Sequence, residues 1–358
     1  MTELQRRRAA AGEELARRKL DAFLVTGLPN VRYLSGFTGS NAMLLLAGGR
    51  VTLFTDPRYG IQARQESDCP VKVSRGPLLK DVLALLRRNQ TSRLGFERGR
   101  ISFETYDYLR ANAPPGMALE PLAGVVERLR MIKSAEEIAL IRESCRTNSR
   151  AFEQALRHVR PGIRESELAA EIDYRMRRLG AEGPAFDTIV AFAEHTALPH
   201  ASPGARQLTP GRVILIDMGA TRKGYASDMT RVLILGRAPA RVKRLYRAVL
   251  EAQLAGIAAV RAGVTAGSVD RAARKALQAQ GLAAAFVHST GHGLGLEIHE
   301  APRLGKRDPT LLEPGMTITV EPGVYLEGVG GIRIEDTVAV TESGCEVLTP
   351  TSKELREL

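Results

Sequence analysis

Four carboxylates occupy corresponding points of an internal repeat in the chain. The segment LTPGRVILIDMG resembles LEPGMTITVEPG, and each runs from a Pro-Gly turn through an apolar strand to an acid, Asp217 in the first and Glu321 in the second. The hairpins that follow, GYASDMT and GIRIEDT, match Asp228 with Glu335. Chance resemblance of two ordinary hairpins is the alternative, but agreement at both acids favours duplication. Four carboxylates gathered in this way repel one another unless cations neutralise them.

Strand alternation predicts that these acids lie along one polar line rather than in an apolar layer. In MTITVE, Thr317, Thr319 and Glu321 fall on one face. In GIRIEDTVAV, which we predict to be a single strand, Arg333 and Glu335 share a face because successive side chains point to opposite sides.

A histidine completes the set of candidate ligands. In STGHGLGLEIHE, glycines flank His292, and they predict a tight turn that leaves the imidazole at an exposed loop tip. A lone histidine among glycines is more often a loop residue than a ligand. Together with four carboxylates, however, one imidazole suits a pair of divalent ions such as Mn²⁺, Co²⁺ or Zn²⁺. Paired ions of this kind activate water for hydrolysis.

The elements that must position these residues fall into two predicted domains. Residues 1–125 alternate the apolar runs DAFLV, AMLLLA and VTLFTD with helical segments, which predicts an α/β domain with a mixed sheet. Residues 126–358 open with a long helical segment and then alternate long helices with short strands, which predicts an α+β domain containing the repeat. No low-complexity linker separates the two.

Composition excludes several other classes of function. The net charge is +11, but the basic residues are interleaved with Glu and the chain has no Trp, which argues against a nucleic-acid-binding protein. No apolar run approaches the roughly 20 residues of a membrane helix, and the charged N-terminus argues against a secretory signal. The cysteine count, three, argues against a disulfide framework and favours a reducing cytoplasm.

The order and context of the five candidate ligands resemble a known family. The motifs GHGLGLEIHE, VEPGVY and GIRIEDT, together with a ten-residue gap between the two aspartates, are similar to those of the metal-dependent "pita-bread" peptidases. That family includes methionine aminopeptidase, aminopeptidase P and prolidase. The resemblance implies a pita-bread catalytic domain with a pseudo-two-fold repeat, preceded by the creatinase-like N-terminal domain of the proline-specific branch, and it implies a homodimer.

The resemblance also implies a role for each ligand. Asp217 chelates one metal, while His292 and Glu321 chelate the other. Asp228 and Glu335 bridge the two ions. Glu321 doubles as the base that takes a proton from the attacking water.

Four further residues gain roles only from the resemblance. His200, at the end of FDTIVAFAEHTALPH, matches the histidine that steadies the tetrahedral intermediate. His299 and His288 match histidines of the substrate pocket, and Arg333 matches the residue that supports proline or its carboxylate. Taken singly, each of the four is more simply a satisfied core or surface side chain.

The chain departs from the family pattern beside the predicted scissile bond. Family members commonly carry Ser-Gly after IVA, where this chain has Phe192 and Ala193, and an asparagine is usual where it has His195. No predicted ligand is changed. The departure therefore concerns substrate preference rather than metal binding.

The predicted activity is hydrolysis of Xaa-Pro bonds in proline-containing peptides, by an exopeptidase. An Xaa-Pro bond lacks an N–H and has a fixed φ, so it needs a dedicated pocket. The segment NVRYLSGFTGSN, residues 30–41, resembles a loop of aminopeptidase-like members, so we favour an Xaa-Pro aminopeptidase, with the Xaa-Pro dipeptidase (prolidase) as the alternative. A non-catalytic peptide-binding module and a metal-free creatinase are disfavoured because all five ligands are present.

Overall fold

The computed structural model describes residues 1–358, which form two compact units, Met1–Arg130 and Met131–Leu358. The boundary predicted from the sequence, between residues 125 and 126, falls at the start of a short helix whose residues belong almost entirely to the first unit.

The first unit is built on one six-stranded mixed sheet, as predicted. Its strands are β1 (Ala22–Val25), β2 (Ala42–Ala47), β3 (Arg50–Thr55), β4 (Val71–Val73), β5 (Arg93–Glu97) and β6 (Ala118–Leu122). They lie in the order β4-β3-β2-β1-β5-β6. Strand β2 is antiparallel to both of its neighbours, β1 and β3. The other pairs, β3 with β4, β1 with β5 and β5 with β6, are parallel, so the sheet combines hairpins with crossover connections.

Six helices accompany this sheet. They are α1 (Glu3–Arg17), α2 (Leu28–Ser35), α3 (Gly60–Glu66), α4 (Leu78–Arg88), α5 (Phe103–Asn112) and α6 (Val125–Met131). Of these, α3, α4 and α5 fill its crossover connections. Helix α4 shows why the sequence folds this way, because LLKDVLALLRR spaces its leucines and valine to make one apolar stripe. That stripe packs on Leu24, Leu45 and Phe54 of the sheet.

The second unit begins with two packed helices followed by six strands. The helices are α7 (Ala135–Ala155) and α8 (Glu165–Arg178). Helix α7 starts with a capping box, in which the Ser134 side chain accepts from the backbone N–H of Glu137 and the Glu137 side chain accepts in return. The strands are β7 (Gly183–Pro184), β8 (Ile189–Phe192), β9 (Val213–Met218), β10 (Ala220–Arg222), β11 (Tyr225–Ala226) and β12 (Met229–Ile234).

The rest of the unit repeats this arrangement of a helix pair and a group of strands. The helices are α9 (Ala240–Ala259) and α10 (Ala266–Ala279). The strands are β13 (His292–Gly293), β14 (Glu300–Arg303), β15 (Thr317–Val320), β16 (Gly323–Leu326), β17 (Gly330–Arg333), β18 (Asp336–Val340), β19 (Cys345–Val347) and β20 (Arg356–Glu357). None of the ten helices of the chain is long and apolar enough to cross a bilayer.

The two hairpins of the internal repeat occupy equivalent places in two sheets. One sheet has the order β20-β12-β9-β8, and the other has the order β14-β13-β15-β18-β19. In the first, β9 pairs antiparallel with β12; in the second, β15 pairs antiparallel with β18. Each pair carries one acid at the end of its first strand and one just before its second. The structure thus confirms the predicted pseudo-symmetric α+β fold.

The prediction that GIRIEDTVAV forms one strand is wrong. The segment divides into β17, which pairs with β16, and β18, which pairs with β15 in a different sheet. Between them the backbone N–H of Glu335 donates to the carbonyl oxygen of Thr230, at 3.2 Å. The chain therefore leaves one sheet and joins another at Glu335, and this change of sheet aims the Glu335 side chain toward the first hairpin.

Candidate metal centre

The five predicted ligands line one cavity of about 620 Å³ in the second unit. Asp217 is the last residue but one of β9, and Asp228 immediately precedes β12. Glu321 immediately follows β15, and Glu335 immediately precedes β18. All four acids lie at or next to strand ends, and their side chains line the cavity. His292 adds the imidazole.

The expectation that His292 lies at an exposed loop tip is wrong. It begins the short strand β13, between β14 and β15, and only 15% of its side chain is exposed. Gly291 allows the chain to approach β15 closely, because a Cβ at position 291 would lie 2.0 Å from the Thr319 carbonyl oxygen. The glycines therefore serve close packing of the histidine segment against β15 rather than a solvent-exposed turn.

The hydrogen bonds of His292 fix which ring nitrogen can bind a cation. Its Nδ1 lies 3.0 Å from the Gly293 carbonyl oxygen, which can only accept, so Nδ1 carries the proton. Burial lowers the pKa of His292, which favours the neutral ring. The Nε2 lone pair then faces Asp228 Oδ2 at 3.6 Å and Glu321 Oε1 at 3.5 Å. This is the arrangement of a metal-ligating histidine.

Three of the four carboxylates have a buried oxygen without a protein hydrogen-bond partner. These atoms are Asp217 Oδ1, Asp228 Oδ1 and Glu335 Oε1. Burial, reinforced by neighbouring carboxylates, raises the pKa of Asp228 and of Glu335 well above the usual range. One ligand atom each from Asp228, Glu335 and His292 lie within 4.8 Å of one another. Oxygens that nothing in the protein satisfies, gathered around a neutral imidazole, fit a divalent cation.

Two threonines orient the acids from behind. Thr319 Oγ1 accepts from the backbone N–H of His292 and donates to Glu321 Oε1, so it aligns a candidate ligand from each strand. Thr230 Oγ1 donates to Glu335 Oε2 at 2.7 Å. Thr230 escaped the sequence reasoning. Its position two residues after Asp228, on the same strand face, was the signal that could have revealed it.

Arg333 contacts the carboxylate cluster rather than standing free in the cavity. Its Nη2 donates to Asp217 Oδ2 at 2.6 Å, its Nε to Thr230 Oγ1, and its Nη1 to Tyr325 Oη and to the Pro199 carbonyl. The guanidinium lines the cavity but is almost fully engaged. Its predicted contact with substrate remains a prediction, while its pairing with Asp217 explains how the site tolerates so many acids.

His288 is part of a hydrogen-bonded relay with Tyr325. The Nδ1 atom of His288 donates to the Ser289 carbonyl, so its Nε2 accepts from the Tyr325 hydroxyl at 2.9 Å. Burial lowers the pKa of His288 and raises that of Tyr325 to about 12. Tyr325 was missed from the sequence, although it is the only aromatic residue in the motif VEPGVY.

His200 and His299 are exposed residues that line the same cavity. The ring of His299 meets that of His292 edge to face, with centroids 4.4 Å apart. Partial burial of its ring, reinforced by the neighbouring His292, lowers the pKa of His299. Arg303, which sequence reasoning also missed, lines the cavity too, and its one weak side-chain hydrogen bond is from Nε to Ser289 Oγ at 3.4 Å.

The residues that depart from the family pattern do not line the cavity. Phe192 is buried in the apolar core of the first helix pair. Ala193 has a φ of +54°, a left-handed conformation in which glycine is unstrained and alanine is not. His195 contacts Glu165.

Comparison with known proteins agrees with this geometry. The profile of the metallopeptidase family M24 matches residues 139–342, and that of the creatinase/prolidase N-terminal domain matches residues 7–132. The chain belongs to metallopeptidase family M24. It is therefore a hydrolase that uses a divalent metal, and its second unit has the pita-bread fold.

Relatives of this M24 chain match it over nearly its whole length. The Xaa-Pro dipeptidase of Pyrococcus furiosus is 36% identical over 337 residues, covering 94% of this chain and 95% of the relative. The solved Xaa-Pro dipeptidase of Bacillus anthracis is 36% identical with a TM-score of 0.96, covering 99% and 100% of the two chains. The solved X-Pro aminopeptidase of Thermotoga maritima is 37% identical with a TM-score of 0.90, covering 96% and 100%.

Proposed function

We propose that this M24 metallopeptidase hydrolyses Xaa-Pro dipeptides at a centre of two divalent ions held by Asp217, Asp228, His292, Glu321 and Glu335. The observation that carries the proposal is a single cavity in which three carboxylates each keep a buried oxygen without a protein partner, beside an imidazole whose Nε2 faces Asp228 and Glu321. A non-catalytic peptide-binding module would have no use for such a set, which destabilises the protein unless cations are present.

The protein residues divide the remaining chemical tasks. The ions, Mn²⁺, Co²⁺ or Zn²⁺, would supply Lewis acidity and lower the pKa of water. Glu321 accepts the proton of the attacking water, and burial, which raises the pKa of Glu321, suits this role. His200 and His299, at the mouth of the cavity, donate hydrogen bonds to the oxygen that becomes negatively charged. Phe186, Ile189 and Pro199 supply an apolar wall for the proline ring.

We propose the Xaa-Pro dipeptidase activity in place of the Xaa-Pro aminopeptidase activity that we favoured from the sequence. Two relatives that cover nearly the whole chain are Xaa-Pro dipeptidases. The first half of the segment behind the earlier preference is not a loop, because residues 28–35 form helix α2, whereas residues 36–41 are irregular. Within it, the Asn30 Nδ2 atom donates to the buried carboxylate of Glu97 at 2.6 Å. Asn30 therefore stabilises the first unit, which gives this part of the motif a structural role.

Arg303 gives the cavity a cation suited to the terminal carboxylate of a dipeptide. It lines the same cavity as the five ligands and keeps most of its guanidinium donors free of protein hydrogen bonds. Arginine matches a carboxylate with two parallel donors. A peptide that continues beyond proline has no carboxylate at that point, so Arg303 favours dipeptides.

The proposal includes a setting for the enzyme. All three cysteines are free thiols, which supports a reducing, cytoplasmic compartment. We retain the homodimer implied by the family resemblance, which sedimentation of the purified protein tests.

Turnover by protein stripped of metal and resupplied with Mn²⁺, Co²⁺ or Zn²⁺ tests the function. We expect hydrolysis of Ala-Pro, slower cleavage of Ala-Pro-Ala, and none of Pro-Ala. Arg303→Met should raise KM for Ala-Pro by about 10- to 100-fold, the worth of a charge-assisted hydrogen bond. The matched control Arg307→Met changes a neighbouring surface arginine outside this cavity and should leave KM unchanged.

Two results would overturn the proposal at different levels. Absence of turnover with every metal contradicts a peptidase acting on Xaa-Pro bonds. Cleavage of Ala-Pro-Ala at least as fast as Ala-Pro, with no effect of Arg303→Met, returns the assignment to Xaa-Pro aminopeptidase.

A further inference from the structure

One buried carboxylate outside the metal centre accepts hydrogen bonds from three donors within residues 192–204, the stretch that carries His200. Glu165, the first residue of α8, is 0% exposed. Its Oε1 accepts from the backbone N–H of Phe192 and from His195 Nδ1, both at 2.8 Å. Its Oε2 accepts from the backbone N–H of Gly204 at 3.1 Å. We call the segment from Ala193 to Arg206 the strap.

The backbone at the start of α8 binds the far end of the strap as well. The N–H of Glu165 donates to the Arg206 carbonyl, and the N–H of Ser166 donates to the Gly204 carbonyl, both at 3.1 Å. Glu165 thus holds the strap at both ends, near Phe192 and near Gly204. Such a cluster of contacts on a buried charge is costly to build and is destabilising when incomplete.

The middle of the strap forms one wall of the metal cavity. Residues 199–203 line it, including His200. On the side facing the site, the strap is held by Arg333, whose Nη1 donates to the Pro199 carbonyl at 3.1 Å, and by Thr196, whose Oγ1 accepts from the Gly331 N–H at 2.7 Å. These anchors on the strap determine the position of His200.

His195 is the member of this arrangement that differs from the usual family residue. Because a carboxylate only accepts, His195 Nδ1 must donate to Glu165. An asparagine at this position could offer an N–H in the same way. The contact therefore depends on a donor at position 195 rather than on an imidazole or its charge.

We propose that Glu165 and His195 are positioning residues, which hold the strap so that His200 reaches the reacting amide. The predicted fall in kcat rests on the proposed Xaa-Pro hydrolysis. The anchoring itself does not, because it is a property of the folded chain. Neither residue lines the cavity.

Glu165→Gln tests the anchoring with the smallest change of shape. The glutamine amide keeps one accepting oxygen but turns the other into a donor, which then opposes an N–H of Phe192, His195 or Gly204. We expect kcat for Ala-Pro to fall by about 10- to 100-fold, the size of effect that a shift of about 1 Å in a positioned group produces. Metal content should be unchanged and KM should change little.

Glu167→Gln is the matched control. It makes the same change in the same helical turn, but Glu167 is exposed and accepts only from the backbone N–H of Arg164. Hydrogen exchange of residues 193–206 should quicken in Glu165→Gln and not in Glu167→Gln. This readout needs no activity, so it tests the anchor even if the protein fails to hydrolyse Xaa-Pro peptides. Unchanged exchange in Glu165→Gln overturns the proposal.

A double-mutant cycle with His200→Ala separates positioning from general structural support. If Glu165 acts through His200, Glu165→Gln should lower kcat less than about twofold in the His200→Ala background. Additive losses would overturn the proposal. If Glu165→Gln folds poorly, the milder His195→Leu enters the same cycle, and His195→Asn, which keeps an N–H donor, should restore kcat to within about threefold of wild type.

Discussion

Glu335 and Asp336 are neighbours in sequence and equally buried, each 1% exposed, but their surroundings are opposite. Asp336 is fully paired, because its carboxylate accepts from Arg231 Nη2 and Lys353 Nζ, both at 2.7 Å, and from Gln253 Nε2 at 3.0 Å. Glu335 accepts only from Thr230, and its Oε1 has no partner. Burial raises the pKa of Glu335 well above its usual range.

The difference separates a carboxylate that builds the fold from one that awaits a ligand. A buried charge is tolerated when the protein supplies its counter-ions, as Arg231 and Lys353 do for Asp336. Glu335 lacks a counter-ion of its own, so its charge requires a cation from outside the chain. The metal centre is therefore a region where unpaired buried carboxylates lower the stability of the metal-free protein and favour metal binding. Asp336, one residue away, lies in a region where paired charges stabilise the fold.

Exchanging each carboxylate for its amide should have opposite consequences for function and stability. Glu335→Gln should reduce turnover by at least about 10²-fold and lower metal content, since losing even an outer-shell partner costs 10- to 100-fold. The metal-free variant should be as stable as wild type or more so. Asp336→Asn should destabilise the fold by about 3–5 kcal/mol, because Arg231 is left buried without a full partner. Urea unfolding of the metal-free proteins and metal analysis measure both.

Similar behaviour of the two variants would contradict this distinction between Glu335 and Asp336. Equal destabilisation of the metal-free protein by Glu335→Gln and Asp336→Asn would mean that Glu335 already has a stabilising partner in the folded chain.

Removing one neutral hydrogen-bond partner from each carboxylate should separate metal affinity from stability in the same way, with smaller effects. Thr230→Val deletes the only hydrogen bond to Glu335. We expect it to weaken metal affinity by about 10- to 100-fold. Gln253→Met deletes the neutral partner of Asp336 and should cost about 1 kcal/mol of stability without changing metal affinity. Metal titration shows whether Gln253→Met also weakens binding, a result that contradicts the separation of the two regions.

The stability of the metal-free protein should fall as pH rises. The pKa values of Asp228 and Glu335 are raised in the folded state, so the folded chain holds more protons than the unfolded chain at pH values above about 4. Their contribution is fully present below the unfolded pKa and is lost as pH rises through the folded pKa, by up to about 1.4 kcal/mol per pH unit for each group. Melting curves from pH 4 to 8 measure this loss.

Metal should reverse the pH trend, because it binds the deprotonated carboxylates and releases protons. Mn²⁺ should therefore raise Tm more at pH 8 than at pH 5. Glu335→Gln should flatten the pH dependence of the metal-free protein. An identical slope in that variant would show that Glu335 does not titrate in this range.

A change outside both regions provides the smallest effect. Ala193→Gly relieves a left-handed alanine and should stabilise the protein by about 0.5–1 kcal/mol, after the added freedom of the unfolded chain is counted. Metal affinity should be unchanged. A destabilising result would mean that the Ala193 methyl group makes contacts worth more than its backbone strain.

The internal repeat allowed the ligand-bearing strand ends to be predicted from sequence, because strand period and paired acids are local signals. The change of sheet at Glu335 was not predictable, since Ile332 and Ile334 before it and Val338 and Val340 after it keep the same two-residue period. Residues that act through long-range contacts were also missed. Tyr325 meets His288 across 37 positions, and Glu165 meets Gly204 across 39, and no local pattern encodes either pairing.

The same limit explains the corrected peptide-length assignment. Asn30 lies in a segment that resembles a loop of aminopeptidase-like members, but its partner Glu97 is 67 positions away. Only the folded chain shows that the asparagine is buried in the first unit rather than offered to a substrate.

The most direct test of the account is anomalous diffraction from crystals of the protein grown with Mn²⁺. We predict two peaks in the cavity lined by Asp217, Asp228, His292, Glu321 and Glu335, roughly 3.5–4 Å apart, with Glu335 Oε1 and Asp228 Oδ1 at ligand distance. Manganese bound elsewhere, with Glu335 Oε1 still lacking a partner, would contradict it.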